Sequence, residues 1–319
     1  MSDPIFSLKP VERVTVTTLM DNYVDLLLQD TERAARPPRS EGSEVPTNTL
    51  VAEHGLAQLV KVYEGDTTHA ILFDTGYTRS GVLHNVDLLG VELDEIEAVV
   101  LSHAHMDHTG SLYPILERIG RPVPVVVHPD AFHTPRYIGF KDGRKLRFPC
   151  TLKKNDLARY SSEILESRNP VLLAGGAVLV TGEVERTTPF EQGLPNATIE
   201  RNGKEEKDLI RDDQALVILL KGRGLVIVSG CAHAGIVNTV LHAGKITGVQ
   251  EIHAVIGGFH LSGPAFEPIL EPTVEALQEM NPRMIVPMHC TGWKAIQRFA
   301  EAFPDAFTLN SVGTTYALS

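Results

Sequence analysis

Short runs of β-branched and aliphatic residues recur along the chain, and most of them end in a turn that carries Gly, Asp or His. The first, residues 14–19 (VTVTTL), predicts a strand that stops at Met20-Asp21-Asn22. Residues 31–48 then become polar and rich in Pro and Arg, too poor in apolar side chains to bury, and predict an exposed loop. Two strand-like runs follow at 57–62 and 69–73, the second ending at the turn Asp74-Thr75-Gly76, with a helix predicted over 80–89. Residues 96–101 (IEAVVL) have the unbroken apolar character of a strand covered on both faces, and they lead directly into Ser102-His103-Ala104-His105-Met106-Asp107-His108.

A helix over about 111–119 and a strand over 122–127 come next. Periodicity is then lost, and residues from about 130 to 175 read as an insertion placed over the mouth of a site. The C-terminal half repeats a strand, loop and helix rhythm, with runs at 215–220, 224–229, 236–243, 252–256, 273–280 and 283–286. Alternating strands and helices beside strands in hairpin-like succession favour a layered α/β fold with mixed sheets.

Composition narrows the functional classes. The chain has 319 residues, 43% hydrophobic and 22% charged, enough for a large core, and no linker or repeat divides it, so one domain over 1–319 is expected. A net charge of −11 lacks the basic footprint of a nucleic-acid binder and points to a small-molecule substrate. The three cysteines, Cys150, Cys231 and Cys290, are widely spaced and odd in number, a poor disulfide framework that suits a reducing, cytoplasmic setting. Neither a signal-peptide pattern nor an apolar run of roughly 18 residues is present, so no membrane association is expected. Oligomeric state is left open.

The chemistry concentrates at 103–108. Residues at i and i+2 of an extended segment share a face, so His103 and His105 can address one ion while the following turn swings Asp107 and His108 toward a second. Imidazole and carboxylate suit Zn²⁺, Mn²⁺ or Fe²⁺, and a plain helix cap would need one Asp or Ser and no imidazoles.

The series His103, His105, Asp107, His108 matches H-x-H-x-D-H and resembles the metallo-β-lactamase superfamily, with Asp74-Thr75-Gly76 similar to that family's upstream turn. The segments from Ser229 to Ile236 (SGCAHAGI), Gly257 to Leu261 (GGFHL) and Pro287 to Gly292 (PMHCTG) resemble its dihydropterin synthase-like branch, as do Met20-Asp21-Asn22, Glu53-His54-Gly55 and Thr181-Gly182-Glu183. The resemblance implies a four-layer αββα sandwich of two mixed sheets and one or two divalent ions, with Zn²⁺ the first choice. It also implies His233 as the third ligand of one ion and His289 as a ligand closing the other. Where a standard member carries a His and then a bridging Asp, this chain reads Ser229-Gly230-Cys231, so Cys231 is either a thiolate ligand or a small buried residue behind the loop.

His260, after Gly257-Gly258, either gives a proton or binds substrate, or is satisfied by backbone at a strand end. His54, Glu183 and Asp21 are further candidates on the strength of the branch segments. Arg186, with Arg136, Lys141, Arg144, Lys145 and Arg147, offers a pocket for an anionic or phosphorylated substrate. The expected activity is metal-assisted hydrolysis of an ester, amide or phosphoester, with Asp107 and His260 as catalytic groups. A pterin-type synthase or a non-catalytic metal-binding domain are the alternatives.

Overall fold

A computed structural model describes residues 6–319 apart from 39, 41 and 43. Two mixed sheets lie face to face. In the larger sheet, Ala34–Ala35, Thr315–Leu318, Arg13–Met20, Ala57–Glu64 and Thr67–Phe73 follow one another antiparallel, and Ile96–Val100, Val123–Val127 and Ser161–Glu166 extend it in parallel. In the smaller, Val171–Leu173, Val178–Val180, Ala215–Leu220 and Gly224–Ser229 are antiparallel, and Ile252–Gly258 and Met284–Met288 continue in parallel.

Alternation of side chains along each strand divides the apolar residues among three cores. Ile71, Phe73, Ala98, Val100, Val226 and Val228 fill the space between the sheets. Their chain neighbours face outward. Ala70, Leu72, Ile96 and Val99 pack under the helices Gly81–Leu89 and Leu112–Ile119. Leu225, Ile227 and Val255 pack under Ile236–Thr247, Glu267–Met280 and Trp293–Ala302. The result is the four-layer αββα sandwich, and it explains why the run Gly224–Ser229 is buried at every position: both of its faces are covered.

The parallel halves of both sheets place their strand ends on one edge. Phe73 pairs with Val100 and Val100 with Val126 in one sheet, while Ser229 pairs with Gly257 and Gly258 with Met288 in the other. The loops at 74–76, 101–108, 230–235, 259–260 and 289 therefore leave the sandwich together, at the carboxyl ends of parallel strands where α/β sheets characteristically bind ligands.

Three sequence expectations change. The 31–48 segment is largely exposed, but Ala34–Ala35 adds an edge strand to Thr315–Leu318, and the Arg36 guanidinium reaches inward to Thr314 Oγ1 at 2.7 Å and Leu309 O at 3.0 Å. Two residues carry no period to detect. The stretch from 130 to 175 is not structureless: Arg136–Gly139 and Lys145–Arg147 pair with Ala197–Arg201 and Lys204–Lys207 in a small four-stranded sheet, while Ser161–Glu166 closes one edge of the large one. Their half-exposed, mixed composition hid them. The helix predicted from 273 begins at Glu267, because Pro268 fits its first turn and Pro272 costs it a single backbone hydrogen bond.

Phe73 is fully buried between the sheets. Phe73→Ala should lower the unfolding free energy by about 3–5 kcal/mol through the cavity it leaves. Urea unfolding checks this, with the midpoint falling and the slope unchanged; a loss below about 1 kcal/mol would mean that the sheet interface collapses to fill the space.

Candidate metal centre

At the end of Thr67–Phe73 the backbone of Asp74 turns left-handed, with φ of 61°, and its fully buried carboxylate points across to the next strand end. There it accepts the Ser102 N–H at 2.7 Å, the Ser102 hydroxyl at 2.7 Å and His108 Nδ1–H at 2.6 Å. Since the Ser102 hydroxyl is spent on Asp74, its oxygen accepts from His103 Nδ1–H at 2.9 Å. His103 is thereby fixed in the tautomer that leaves Nε2 bare, and His108 is held with Nδ1 on Asp74 and Nε2 turned toward the site. Gly230 makes this approach feasible: a Cβ there would sit 2.1 Å from Ser102 Oγ.

His103 Nε2 lies 3.0 Å from His105 Nδ1 and 3.2 Å from His233 Nε2. Burial holds His103 and His233 well below the ordinary histidine value, and it brings His105 down to about 4 despite the neighbouring Asp107. All three are neutral at pH 7, and each offers a lone pair to a common point. Metal–nitrogen bonds of about 2.0–2.1 Å in tetrahedral geometry separate ligand nitrogens by about 3.3 Å, so the arrangement fits one divalent ion. His105 Nε2 and His233 Nδ1 are buried without a hydrogen-bond partner.

A second group joins Asp107, His108, Cys231 and His289, whose ligand atoms all lie within 4.8 Å of one another. His108 Nε2 is 3.1 Å from Cys231 Sγ, and His289 Nε2 is 3.4 Å from Asp107 Oδ2. Burial opposes charge on His108, but Asp74 and Asp107 outweigh it and raise the imidazole to about 9. The Asp107 carboxyl is also resisted by burial, yet His108 and His289 hold it well below the usual carboxylate range, so it is ionised. Burial pushes the Cys231 thiol well up, and a thiolate there would require a cation beside it. Cys231 belongs to both this group and a third one with His233 and His260, which sets its sulfur between the two principal clusters.

The remaining sequence candidates take different positions. Asp21 is not among the grouped ligand atoms; its buried carboxylate accepts the His289 N–H at 2.9 Å and Asn310 Nδ2–H at 2.7 Å, which holds the His289 loop. Asn22 Oδ1 accepts His289 Nδ1–H at 3.1 Å, leaving Nε2 for the site. His54 stands at the exposed mouth, with Nε2 3.6 Å from Asp107 Oδ2. His260 adopts φ of 45°, lies with its ring centroid 4.2 Å from that of His233 and tilted by 48° to it, and has no hydrogen-bond partner at Nδ1, so the backbone does not satisfy it at that atom.

Glu183 is turned to other work, pairing with Arg168 at 3.0 Å outside the grouped ligand atoms. Arg186 and the basic residues expected to form an anion pocket are mostly engaged within the chain. Arg136 is buried against Asp212 at 2.7 Å and Asp208 at 3.5 Å, Arg144 pairs with Asp142 and Lys145 with Glu205, while Lys141 and Arg147 are exposed. Arg186 donates to Leu209 O from a largely buried position. Each paired cation answers a carboxylate of the chain itself, distant in sequence for Arg136 and Lys145 and two residues away for Arg144.

Sequence reasoning missed the supports: Asp74 and Ser102 as orienting groups, Phe148 stacked on the His105 ring at 4.6 Å, and Asp212, Asp213 and Gln214 behind the loops. Of these only Asp74 had a local signal, its turn.

A four-layer αββα sandwich with imidazole and carboxylate clusters on its loop edge is the arrangement of the metallo-beta-lactamase fold, and the clusters could hold a metal ion. The sequence profile of the metallo-beta-lactamase superfamily matches residues 55–289, and the chain belongs to that superfamily. It is 35% identical over 263 residues to 7,8-dihydropterin-6-methyl-4-(beta-D-ribofuranosyl)-aminobenzene-5'-phosphate synthase of Methanocaldococcus jannaschii, an alignment covering 80% of this chain and 87% of the relative. That likeness bears out the branch resemblance of the SGCAHAGI, GGFHL and PMHCTG segments. Among solved structures it is similar to Tm1679, described as a metal-dependent hydrolase of the beta-lactamase superfamily, with a TM-score of 0.71, 25% identity, and coverage of 96% of this chain and 98% of that one. The fold also matches YhfI from Bacillus subtilis, at a TM-score of 0.50 and 14% identity, over 96% of this chain and all of that one. Among the described residues no helix is long and apolar enough to cross a membrane.

The neutral imidazoles give the metal-free protein a defined pH response. In the unfolded chain His103, His105 and His233 take up protons near pH 6.5, whereas in the folded chain they do so only at lower pH, His105 at about 4. Their contribution to stability is present above about pH 6.5 and is lost as pH falls through that window, by about 1.4 kcal/mol per pH unit for each proton. His108, raised to about 9, acts with the opposite sign: its contribution is present below about 6.5 and fades as pH rises through 9. Glu191 and Asp213, raised by burial to about 7 and about 6, act against the three histidines in this window, so the stability of chelator-treated protein, measured by urea unfolding, should fall from pH 7 to pH 5 less steeply than the histidines alone would give. Stability that rises from pH 7 to pH 5 would contradict neutral imidazoles.

Proposed function

We propose that this chain is a metal-dependent enzyme that hydrolyses an ester, amide or phosphoester bond in a small molecule. The observation that carries the reading is the convergence of three neutral imidazoles, with His103 Nε2 3.0 Å from His105 Nδ1 and 3.2 Å from His233 Nε2, beside an ionised carboxylate at the mouth of a buried strand. His103, His105 and His233 would hold one divalent ion. Asp107, His108 and His289, with Cys231, would hold a second, and Zn²⁺ suits the mixed N, O and S donors best.

A divalent ion held there supplies Lewis acidity, which makes water a better nucleophile at neutral pH and draws electron density from a substrate oxygen. The chain's own groups supply orientation and proton handling. Asp107, ionised at neutral pH, accepts a hydrogen bond from the attacking water and fixes its direction. His260, with its unpaired Nδ1, donates a proton to the leaving group from the His233 side, while His54 stands at the opposite lip. Phe148, lying flat on His105, keeps bulk water from that face of the cluster.

A second reading, a pterin-type synthase, is favoured by two observations: the similarity to the synthase of Methanocaldococcus jannaschii, and the Cys231 sulfur in the place where the superfamily pattern expects a bridging carboxylate. In that reading the same ligands hold a metal that activates a substrate rather than water.

Protein purified without chelator should contain one or two equivalents of divalent metal by elemental analysis, and His103→Ala and His105→Ala should each lose the ion of the first group together with activity, by more than about 100-fold. Unchanged metal content in both variants would refute the site.

Turnover of phosphodiester, lactone or thioester probes, abolished by chelation and restored by Zn²⁺ or Mn²⁺, is the expected outcome for hydrolysis. Reaction confined to phosphorylated aminobenzene compounds with a pterin partner would move the assignment to the synthase. Inertness toward both sets would leave a metal-binding protein without catalysis.

A further inference from the structure

His103 and His105 descend from the large sheet and His233 from the small one, so strand register within either sheet does not fix the distance between them. Asp212, Asp213 and Gln214, in the segment that enters Ala215–Leu220, lie between the two loops. Gln214 donates from its backbone N–H to Ser102 O at 3.0 Å and from Nε2 to Leu101 O at 2.8 Å. Asp212 Oδ2 accepts the N–H of Ala104, the residue between His103 and His105, at 2.9 Å. Asp213 Oδ2 accepts the N–H of Ala234, the residue after His233, also at 2.9 Å. Three consecutive side chains thus grip the main chain of both histidine loops.

We propose that Asp212-Asp213-Gln214 is the positioning element that sets the two halves of the three-histidine cluster at metal-binding distance. None of the three is itself among the grouped ligand atoms. All are buried, and adjacent buried carboxyl groups are costly unless hydrogen-bonded or paired. Arg136 offsets the cost for Asp212 through Oδ1 at 2.7 Å. Asp213 keeps part of the cost: the Arg186 charge offsets some of it, but its Oδ1 is buried with no hydrogen-bond partner and burial leaves the carboxyl raised to about 6. Packing alone gives no reason to retain such a group between two strand ends, and a loop-to-loop tether does.

The Arg136 pair extends the grip outward. Arg136 lies in the strand Arg136–Gly139 of the small four-stranded sheet, and Phe148, just beyond the paired strand Lys145–Arg147, is stacked on His105. One carboxylate, Asp212, therefore references the covering sheet and the His103-Ala104-His105 turn to the same point.

This inference rests on the metal-dependent reading of the site, and its test separates the two. Zinc affinity of full-length protein is measured by competition with a chromophoric chelator, alongside the thermal midpoint of the metal-free form, for wild type, Asp213→Ala, Asp213→Asn and the core control Leu216→Ala. Asp213→Ala should weaken zinc binding by about 10- to 100-fold, the range typical of groups that orient metal ligands. Asp213→Asn, which keeps an acceptor oxygen for Ala234 N–H, should recover most of the loss. Leu216→Ala, a cavity in the inter-sheet core, should lower the metal-free midpoint at least as much as Asp213→Ala and leave zinc affinity at the wild-type value.

Wild-type affinity in Asp213→Ala, or affinity losses that simply follow the midpoint across all variants, would overturn the proposal. Should Asp213→Ala not fold, Gln214→Met, which removes only the donor to Leu101 O, decides on the same two readouts. Wild-type protein that binds no zinc would overturn the metal reading and this inference together, before any variant is compared.

Discussion

The buried carboxylate of Asp74 is the point on which the site depends. A charge in that position is tolerable only because three donors converge on it, from the Ser102 backbone, the Ser102 hydroxyl and His108 Nδ1. Those donors are not interchangeable. By consuming the Ser102 hydroxyl and His108 Nδ1–H, the carboxylate dictates which nitrogen of His103 and of His108 faces the site, and so orients one candidate ligand in each of the two clusters. Its left-handed backbone is a local cost that the surrounding hydrogen bonds sustain.

The sandwich supplies what that carboxylate cannot. Parallel strands in both sheets end level with one another, so loops separated by long stretches of chain arrive at one edge. Water is largely excluded there, and exclusion has two consequences. It keeps His103, His105 and His233 neutral, with their lone pairs available, and it strengthens the attraction between Asp107 and the imidazoles around it. The same burial that disfavours charge on single groups thus favours a cation shared by several.

The comparisons agree on fold and superfamily while their printed names describe different activities, a synthase in one relative and a hydrolase in one solved structure. Fold alone does not choose between them. In this chain the candidate metal clusters are surrounded by the sulfur of Cys231, by His260 and His54, and by Phe148 on the His105 ring.

Sequence by itself determined the sandwich strands with strong local character and the H-x-H-x-D-H cluster, because both are written in contiguous residues: an apolar run such as 224–229 and ligands spaced to share one face. Residues 34–35 and 161–166 escaped, since a short or half-exposed strand leaves no period to read. The basic residues of the 136–147 stretch and Arg186 were legible as charges but not as partners: Arg136 meets Asp212, Lys145 meets Glu205, and Arg186 meets the Leu209 carbonyl. Only the tertiary structure decided those pairings, the role of Asp74 as the orienting group, and the gathering of His233 and His289 with the motif histidines. The physical reason is that a buried hydrogen bond or ligand contact depends on distance in space, and chain separations from 23 residues for Arg186 and Leu209 to 130 for His103 and His233 carry no local trace of it.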